Sequence, residues 1–393
     1  LAPPSAAASS PPPPPRRLDL RGVVAQAVLV GALALAGLWL AANAAHNIQA
    51  RNLTSGFAFL SRPASFDISE HLIPFGPEDS NARVFLVGAL NTLLVSALGI
   101  VGATALGFVG GAARLSRNLL VRGLAATYVE LVRNVPAAIQ ILLWYSLIYL
   151  APPPRSALRF AGMVLSNRGL LVPAPVWHGA AGTAVLLAGL FGVVGVWGAR
   201  ALDRRRREGG PRRDPAWAWG TGLALAVLAL ILIGRPAGLD APHLEGFEYA
   251  GGAGLSPVLV ALAVGLAVYT GAFIAEIVRG GLQAVARGQT EAARALGLPQ
   301  GVILRRVILP QALRTIVPPL SSQYLNLVKN SSLAVIIGYP DLVAVFAGTA
   351  LNQTGQAIET ISLTMAFFVF VSLCISFLMN LWNRRLARWA APA

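Results

Sequence analysis

Glu291-Ala-Ala-Arg-Ala-Leu-Gly297, followed after nine residues by Val307-Ile-Leu-Pro310, decides how this chain is read. The stretch lies in an arginine-rich loop between two long apolar runs. A short polar helix with small residues at fixed places, set between membrane spans, fits a surface on which a soluble partner docks. Gly297 precedes Leu298-Pro299 and is expected to close that helix with φ > 0, where glycine alone is free of strain.

Composition sets the surroundings of the loop. Hydrophobic residues make up 55% of the chain, charged residues only 12%, and the mean hydropathy is +0.65. A soluble domain carries roughly 25% charged residues. Apolar runs of about 18 or more residues recur, each long enough to cross a hydrocarbon core of ~30 Å. Eight spans are expected, near 23–42, 84–110, 123–150, 180–199, 216–234, 255–278, 312–338 and 360–382. The first admits a second reading as a signal peptide, because Arg16, Arg17 and Arg21 precede it and Ala42-Asn43-Ala44 mimics a cleavage site. Its apolar core is longer than a secretory one, which favours a retained helix.

Charge orients the spans. With both termini in the cytoplasm, the inner segments hold 22 of the 31 basic residues and the outer loops hold 7. The net charge of +15 is therefore a topology signal. Arg204-Arg-Arg-Arg207 has the density of a nucleic-acid patch, but between two spans it reads as an anchor against anionic lipid. No nucleic-acid partner is expected.

Several chemistries lack their residues. Lys329 is the only lysine, so no Gly-Lys-Ser/Thr phosphate loop exists and this chain does not bind ATP by that route. The single cysteine, Cys374, excludes an internal disulfide and a multi-cysteine metal site. His46, His71, His178 and His243 are scattered and lack ligand spacing, so no metal site is expected. No catalytic constellation is found, and the chain is not read as an enzyme.

The docking stretch resembles the Glu-Ala-Ala loop of type I ABC importer permeases, which seats in a groove of the ATPase subunit. The resemblance extends to Asn91-Thr-Leu-Leu94, Tyr128-Val-Glu-Leu-Val-Arg-Asn-Val-Pro136, Ala272-Phe-Ile-Ala-Glu-Ile-Val-Arg279, Pro310-Gln-Ala-Leu-Arg314 and Leu327-Val-Lys-Asn-Ser-Ser-Leu333. These are similar to the polar amino-acid branch, most of all to general L-amino-acid permeases. The resemblance implies an all-α membrane protein with a five-helix permease core, an extra N-terminal helix and a two-helix insertion. It divides the chain into a disordered Pro-rich N-terminus (1–22), a first helix and periplasmic loop (23–83), a permease domain (84–385) and a cytoplasmic tail (386–393). Within the permease domain lie the insertion (about 152–254) and the coupling loop (about 279–312). The implied partners are a cytoplasmic ATPase dimer that uses ATP and Mg, a second similar permease, and a periplasmic amino-acid-binding protein. The implied location is a bacterial inner membrane. Glu291, Ala292, Ala293, Gly297, Leu309 and Pro310 would carry ATPase coupling.

Other residues are singled out by their chemistry. Gly99, Ala103, Gly107 and Gly111 form a small-residue face suited to close helix packing. Glu130 and Arg133 stand three apart, able to pair or to form a gate, and Pro136 should kink the helix that follows them. Glu276 is expected to partner a basic residue near Arg279. Ser322, Asn326, Lys329 and Asn330 recur on one helical face, with Ser331 beside it. A lysine roughly 25 Å along a spanning helix needs a buried carboxylate or a wet cavity. The face is either a structural pair, with Glu130 as the available carboxylate, or the wall of a substrate pathway.

Overall fold

The computed structural model describes residues 20–50, 56–177, 180–207, 216–234 and 236–388. The expectation of disorder for residues 1–22 falls almost wholly outside these residues, as does the end of the tail. Helix α1 (Leu20–Ala50) is followed by a loop that leads into α2 (Asn81–Ala113). Then come α3 (Leu119–Asn134) and α4 (Ala137–Tyr149).

The expected span 123–150 is not one helix. Helices α3 and α4 meet at 113°. Val135 is extended, with φ −104° and ψ 129°, as the residue before proline prefers. Pro136 supplies no N–H, so carbonyls of the preceding turn lose their helical donors. The Gln140 amide takes up two of them, donating to Val132 O at 2.7 Å and Val135 O at 3.0 Å. The kink expected from Pro136 is thus a full corner.

The insertion holds the two expected helices, α5 (Ala181–Arg207) and α6 (Ala216–Ala229, extended by a π-helical turn to Gly234). It also holds eight short strands that the sequence reading did not foresee. Strands β1 (Leu158–Phe160), β2 (Met163–Ser166) and β3 (Gly169–Val172) form an antiparallel meander. β4 (Ala174–Trp177) pairs with β5 (Pro236–Asp240), and β6 (His243–Glu245) with β7 (Glu248–Ala250). β8 (Ala253–Leu255) returns to the far edge of β3. Because β4 enters α5 and β5 leaves α6, their pairing closes the α5–α6 hairpin at the β-sheet end.

Ser256 caps α7 (Pro257–Gln283), its hydroxyl accepting from Leu259 N at 3.0 Å, and Pro257 sits where a missing N–H costs nothing. The coupling loop follows as α8 (Arg287–Ala295), a single turn α9 (Gln300–Val302) and a π-helical stretch to Ile308. α10 (Leu309–Asn330) tightens into a 3-10 helix that ends at Gly338, φ 75°. A π-helical segment (Val343–Ala350), α11 (Leu351–Thr354) and α12 (Ala357–Arg388) complete the chain. Among the described residues α2, α7 and the 357–383 part of α12 are each long and apolar enough to cross a membrane, and α3 with α4 makes a bent fourth. The remaining expected spans coincide with α1, α5, α6 and α10, so the architecture is compatible with eight.

The core sits on α7, and α2 lies along it more closely than any other helix. In lipid, apolar transfer gives helices little reason to associate, so close backbone packing must do it. The small-residue face of α2 provides that packing. A Cβ on Gly107 would overlap Ile274, and one on Gly111 would stand 2.7 Å from both Ala275 O and Val278 Cβ. Gly99 faces Leu327 of α10 and Leu266 of α7. A second apolar cluster gathers Phe59, Val84, Val87, Leu342 and Phe346 near the start of α2.

Candidate functional site

The coupling loop is built on a buried root and an exposed crown. Ala293 is 5% exposed and Ile303 2%, so α8 is seated on the π-helical stretch behind it. Glu291 and Ala292 face outward, and Leu296 is 78% exposed. Gly297 has φ 71°, as its place after the helix required. Its N–H reaches Arg294 O at 2.9 Å, and Leu298 N–H reaches Ala293 O at 3.2 Å. These two bonds are the Schellman closure of a helix. Leu309 is partly exposed and Pro310 half-buried at the start of α10, where the loop re-enters the bundle. Leu296 leaves an apolar side chain exposed at the tip of a charged helix. The sequence carried this signal in Leu296, but only the geometry shows which way it points.

Above the loop, Glu276 pairs with two arginines. Arg279 of the same helix engages it through Nε at 3.2 and 3.3 Å and through Nη2, and Arg114 at the C-cap of α2 engages it through Nη1. The sequence reading anticipated a basic partner for Glu276. Arg114 was not foreseen, since 162 residues separate the two.

A second site lies between α7 and α10. Tyr269, Thr270 and Phe273 face Gln323, Asn326 and Asn330 around a cavity of about 260 Å³. Its wall combines two aromatic rings, three amides and the Thr270 hydroxyl. Ser322 and Lys329 are exposed on the same helix as the amides. Ser331 departs from this face: it is fully buried, and its hydroxyl donates to Val328 O at 2.7 Å. Lys329 stands in the last turn of α10 rather than mid-helix, and it is exposed.

Glu130 and Arg133 do not pair with each other. Glu130 is exposed and makes no ion pair among the described residues, while the Arg133 guanidinium lies 5.2 Å from the Phe273 ring centre. A cation over an aromatic face is attracted by the ring quadrupole, which accounts for the arrangement. Arg133 therefore borders the cavity through Phe273. Lys329 likewise has no carboxylate partner among the described residues, so the structural Lys329–Glu130 pair is absent within one chain. Tyr269, Thr270, Phe273 and Gln323 escaped the sequence reading. Tyr269-Thr270 inside an apolar run was the signal available.

Residues 222–391 match the family model described as binding-protein-dependent transport system inner membrane component. A putative amino-acid ABC transporter permease of Escherichia coli is 50% identical over 91% of this chain and 93% of its own. This chain is a permease of the ABC transporter family. A general L-amino acid transport system permease of Rhizobium johnstonii is 42% identical, over 89% of this chain and 88% of its own. A glutamate/glutamine/aspartate/asparagine permease of Rhodobacter capsulatus is 41% identical, over 91% and 92%. The insertion with its strands lies inside these long alignments. The permease is thus a membrane transport subunit, and its family is not one of nucleotide-binding enzymes.

Proposed function

We propose that this permease is the membrane subunit of an ATP-driven importer of amino acids, and that the α7–α10 cavity belongs to its translocation pathway. The observation that carries the reading is α8: a helix rooted by Ala293 and closed at Gly297, with Glu291 and Leu296 presented outward. Such a helix is built to be pressed on. An ATPase dimer would grip it, using ATP and Mg held by the ATPase and no cofactor on this chain. A second similar permease would complete the pathway, and a periplasmic binding protein would deliver the solute.

The cavity suits the cargo class. An amino acid carries a carboxylate and an ammonium group, and amide side chains offer both donors and acceptors. Lys329, beside Asn326 and Asn330 on the same helix and without a carboxylate partner among the described residues, stands near the cavity as a positive charge for the carboxylate. Relatives whose names include glutamate, glutamine and general L-amino acids support this class. Transport would proceed by rocking of the helix bundles around the site.

Uptake by the purified complex in proteoliposomes, with ATP supplied to the ATPase side and a panel of labelled amino acids outside, tests the reading. ATP-dependent accumulation of at least one amino acid is expected. Accumulation driven by an ion gradient alone, with no ATPase bound to the permease, would assign it to another class.

A further inference from the structure

A continuous polar path leads away from the root of the coupling loop. Gln283 is the last residue of α7 before the loop begins. Its Oε1 accepts from Arg279 Nη1 at 2.6 Å. Arg279 holds Glu276, and Glu276 holds Arg114, the residue that caps α2. The path lies where the helices are most tightly locked. Gly110 and Gly111 bring α2 against Ala275 and Val278, in the same two turns of α7 that carry Glu276 and Arg279. About one turn beyond Val278, Gly281 of α7 is closed against Ile316, and a Cβ there would stand 3.3 Å from Ala312 O. α10 is the helix into which the loop runs back. Both roots of the loop are therefore fastened to α7, and α7 is fastened to α2.

We propose that Glu276 is a positioning residue for coupling: with Arg114 and Arg279 it makes α2 move with the loop root when α8 is displaced. A charged bridge adds directional bonds to the packing of α2 on α7 and fixes their register at the loop root. The side chains are 15% exposed for Arg114 and 29% for Glu276, so solvent does not screen the pair as it would a surface one. Contiguous networks of this kind carry coupling only if a change at one end is felt at the other, so a coupling measurement is needed.

The inference rests on the docking reading of α8. The experiment compares amino acid imported per ATP hydrolysed in the reconstituted complex. Glu276→Gln keeps the side-chain shape and removes its charge. Uptake per ATP is expected to fall about five- to tenfold, the lower part of the range for coupling between sites, with ATPase binding and basal hydrolysis retained. Arg114→Gln should give the same loss, and the double variant should be no worse than either single one, since all break one link. Arg114→Lys should recover part of the ratio. Unchanged uptake per ATP in Glu276→Gln, or losses that add in the double variant, overturns the proposal. Should Glu276→Gln fail to assemble, Arg114→Gln decides: Glu276 keeps Arg279 as its partner, so no charge is stranded, and a wild-type ratio there overturns the proposal. If the unmodified complex imports nothing with ATP, the functional reading fails instead, before any variant is compared.

Discussion

Two residues carry unusual burdens. Gly297 has open space around its missing Cβ, so a larger side chain meets no clash there, only the cost of φ 71°. A β-branched residue in that conformation costs on the order of 1–2 kcal/mol. Gly297→Val should therefore leave membrane insertion intact and loosen the end of α8. Pull-down of the ATPase is expected to drop severalfold while the amount of permease stays normal; undiminished pull-down would contradict the docking role. Asp341 is the other case. It is fully buried, Oδ1 accepts from Ala344 N at 2.8 Å, and Oδ2 has no partner among the described residues. Burial pushes its carboxyl up to about 7, against an ordinary value of 3.8. The folded state then holds a proton that the unfolded state has released between those values. Stability falls as pH rises through that window and levels off above about 7. Asp341→Asn should flatten the profile. The unmodified permease is expected to melt a few degrees lower at pH 8 than at pH 5, roughly 2–4 °C per kcal/mol, and the variant to show a smaller difference. Thermal melts in detergent at both pH values check this. An equal difference in both proteins would remove Asp341 as its source.

At the scale of elements, α10 gives the clearest test. Lys329 has no carboxylate partner among the described residues, so Lys329→Met should assemble at wild-type levels and lose uptake about tenfold or more, the effect of ~1.4 kcal/mol in transition-state stabilisation. Reduced assembly restored by Glu130→Gln would instead reveal a pair formed in another state of the transporter. The four-residue spacing of Gly99, Ala103, Gly107 and Gly111 was legible as a packing face because small residues in a span have few other uses. The φ of Gly297 was legible because a helix followed by Leu-Pro needs an exit. The corner at Pro136 was read too mildly: proline fixes the break, but its angle depends on Gln140 accepting the role of donor. The β-strands were not legible at all. They are three to five residues long, and β3 pairs with β8 across an inserted helical hairpin, so no local alternation announces them. Ser331 lies off the polar face because each residue advances an α-helix by about 100°, and it is one step past Asn330, itself at the edge of that face.

For the whole molecule, the closed α5–α6 hairpin ties topology to geometry. β4 and β5 hold its two ends together, and at about 1.5 Å per residue α5 extends ~40 Å from them, enough to cross a bilayer. If α5 spans the bilayer, the arginines at 204–207 and the strands belong to opposite faces, as the basic bias of the inner loops proposes. With Cys374 replaced by serine, single cysteines at Ser61 and Gly288 should react with an impermeant thiol reagent from opposite sides. Both positions are exposed, so reaction from one side only would refute the orientation. The proposed orientation rests on the arginine distribution. The α7–α10 cavity was half readable, because its amides repeat along one helix whereas Tyr269 and Phe273 come from another.

The close fit of α2 on α7 also sets a schedule. The chain must be made from Ala113 to Pro257 before α7 begins to emerge, which at about 5–20 residues per second takes roughly 7–30 s. During that interval the glycines of α2 that pack on α7 lack their partner helix, while α5 and α6 can already form their own hairpin. The nascent permease therefore waits half-built, with its innermost surface turned to lipid or to the insertion machinery. Variants that slow synthesis of the insertion should lengthen that exposure and lower the yield of folded protein without altering a single contact in the finished one.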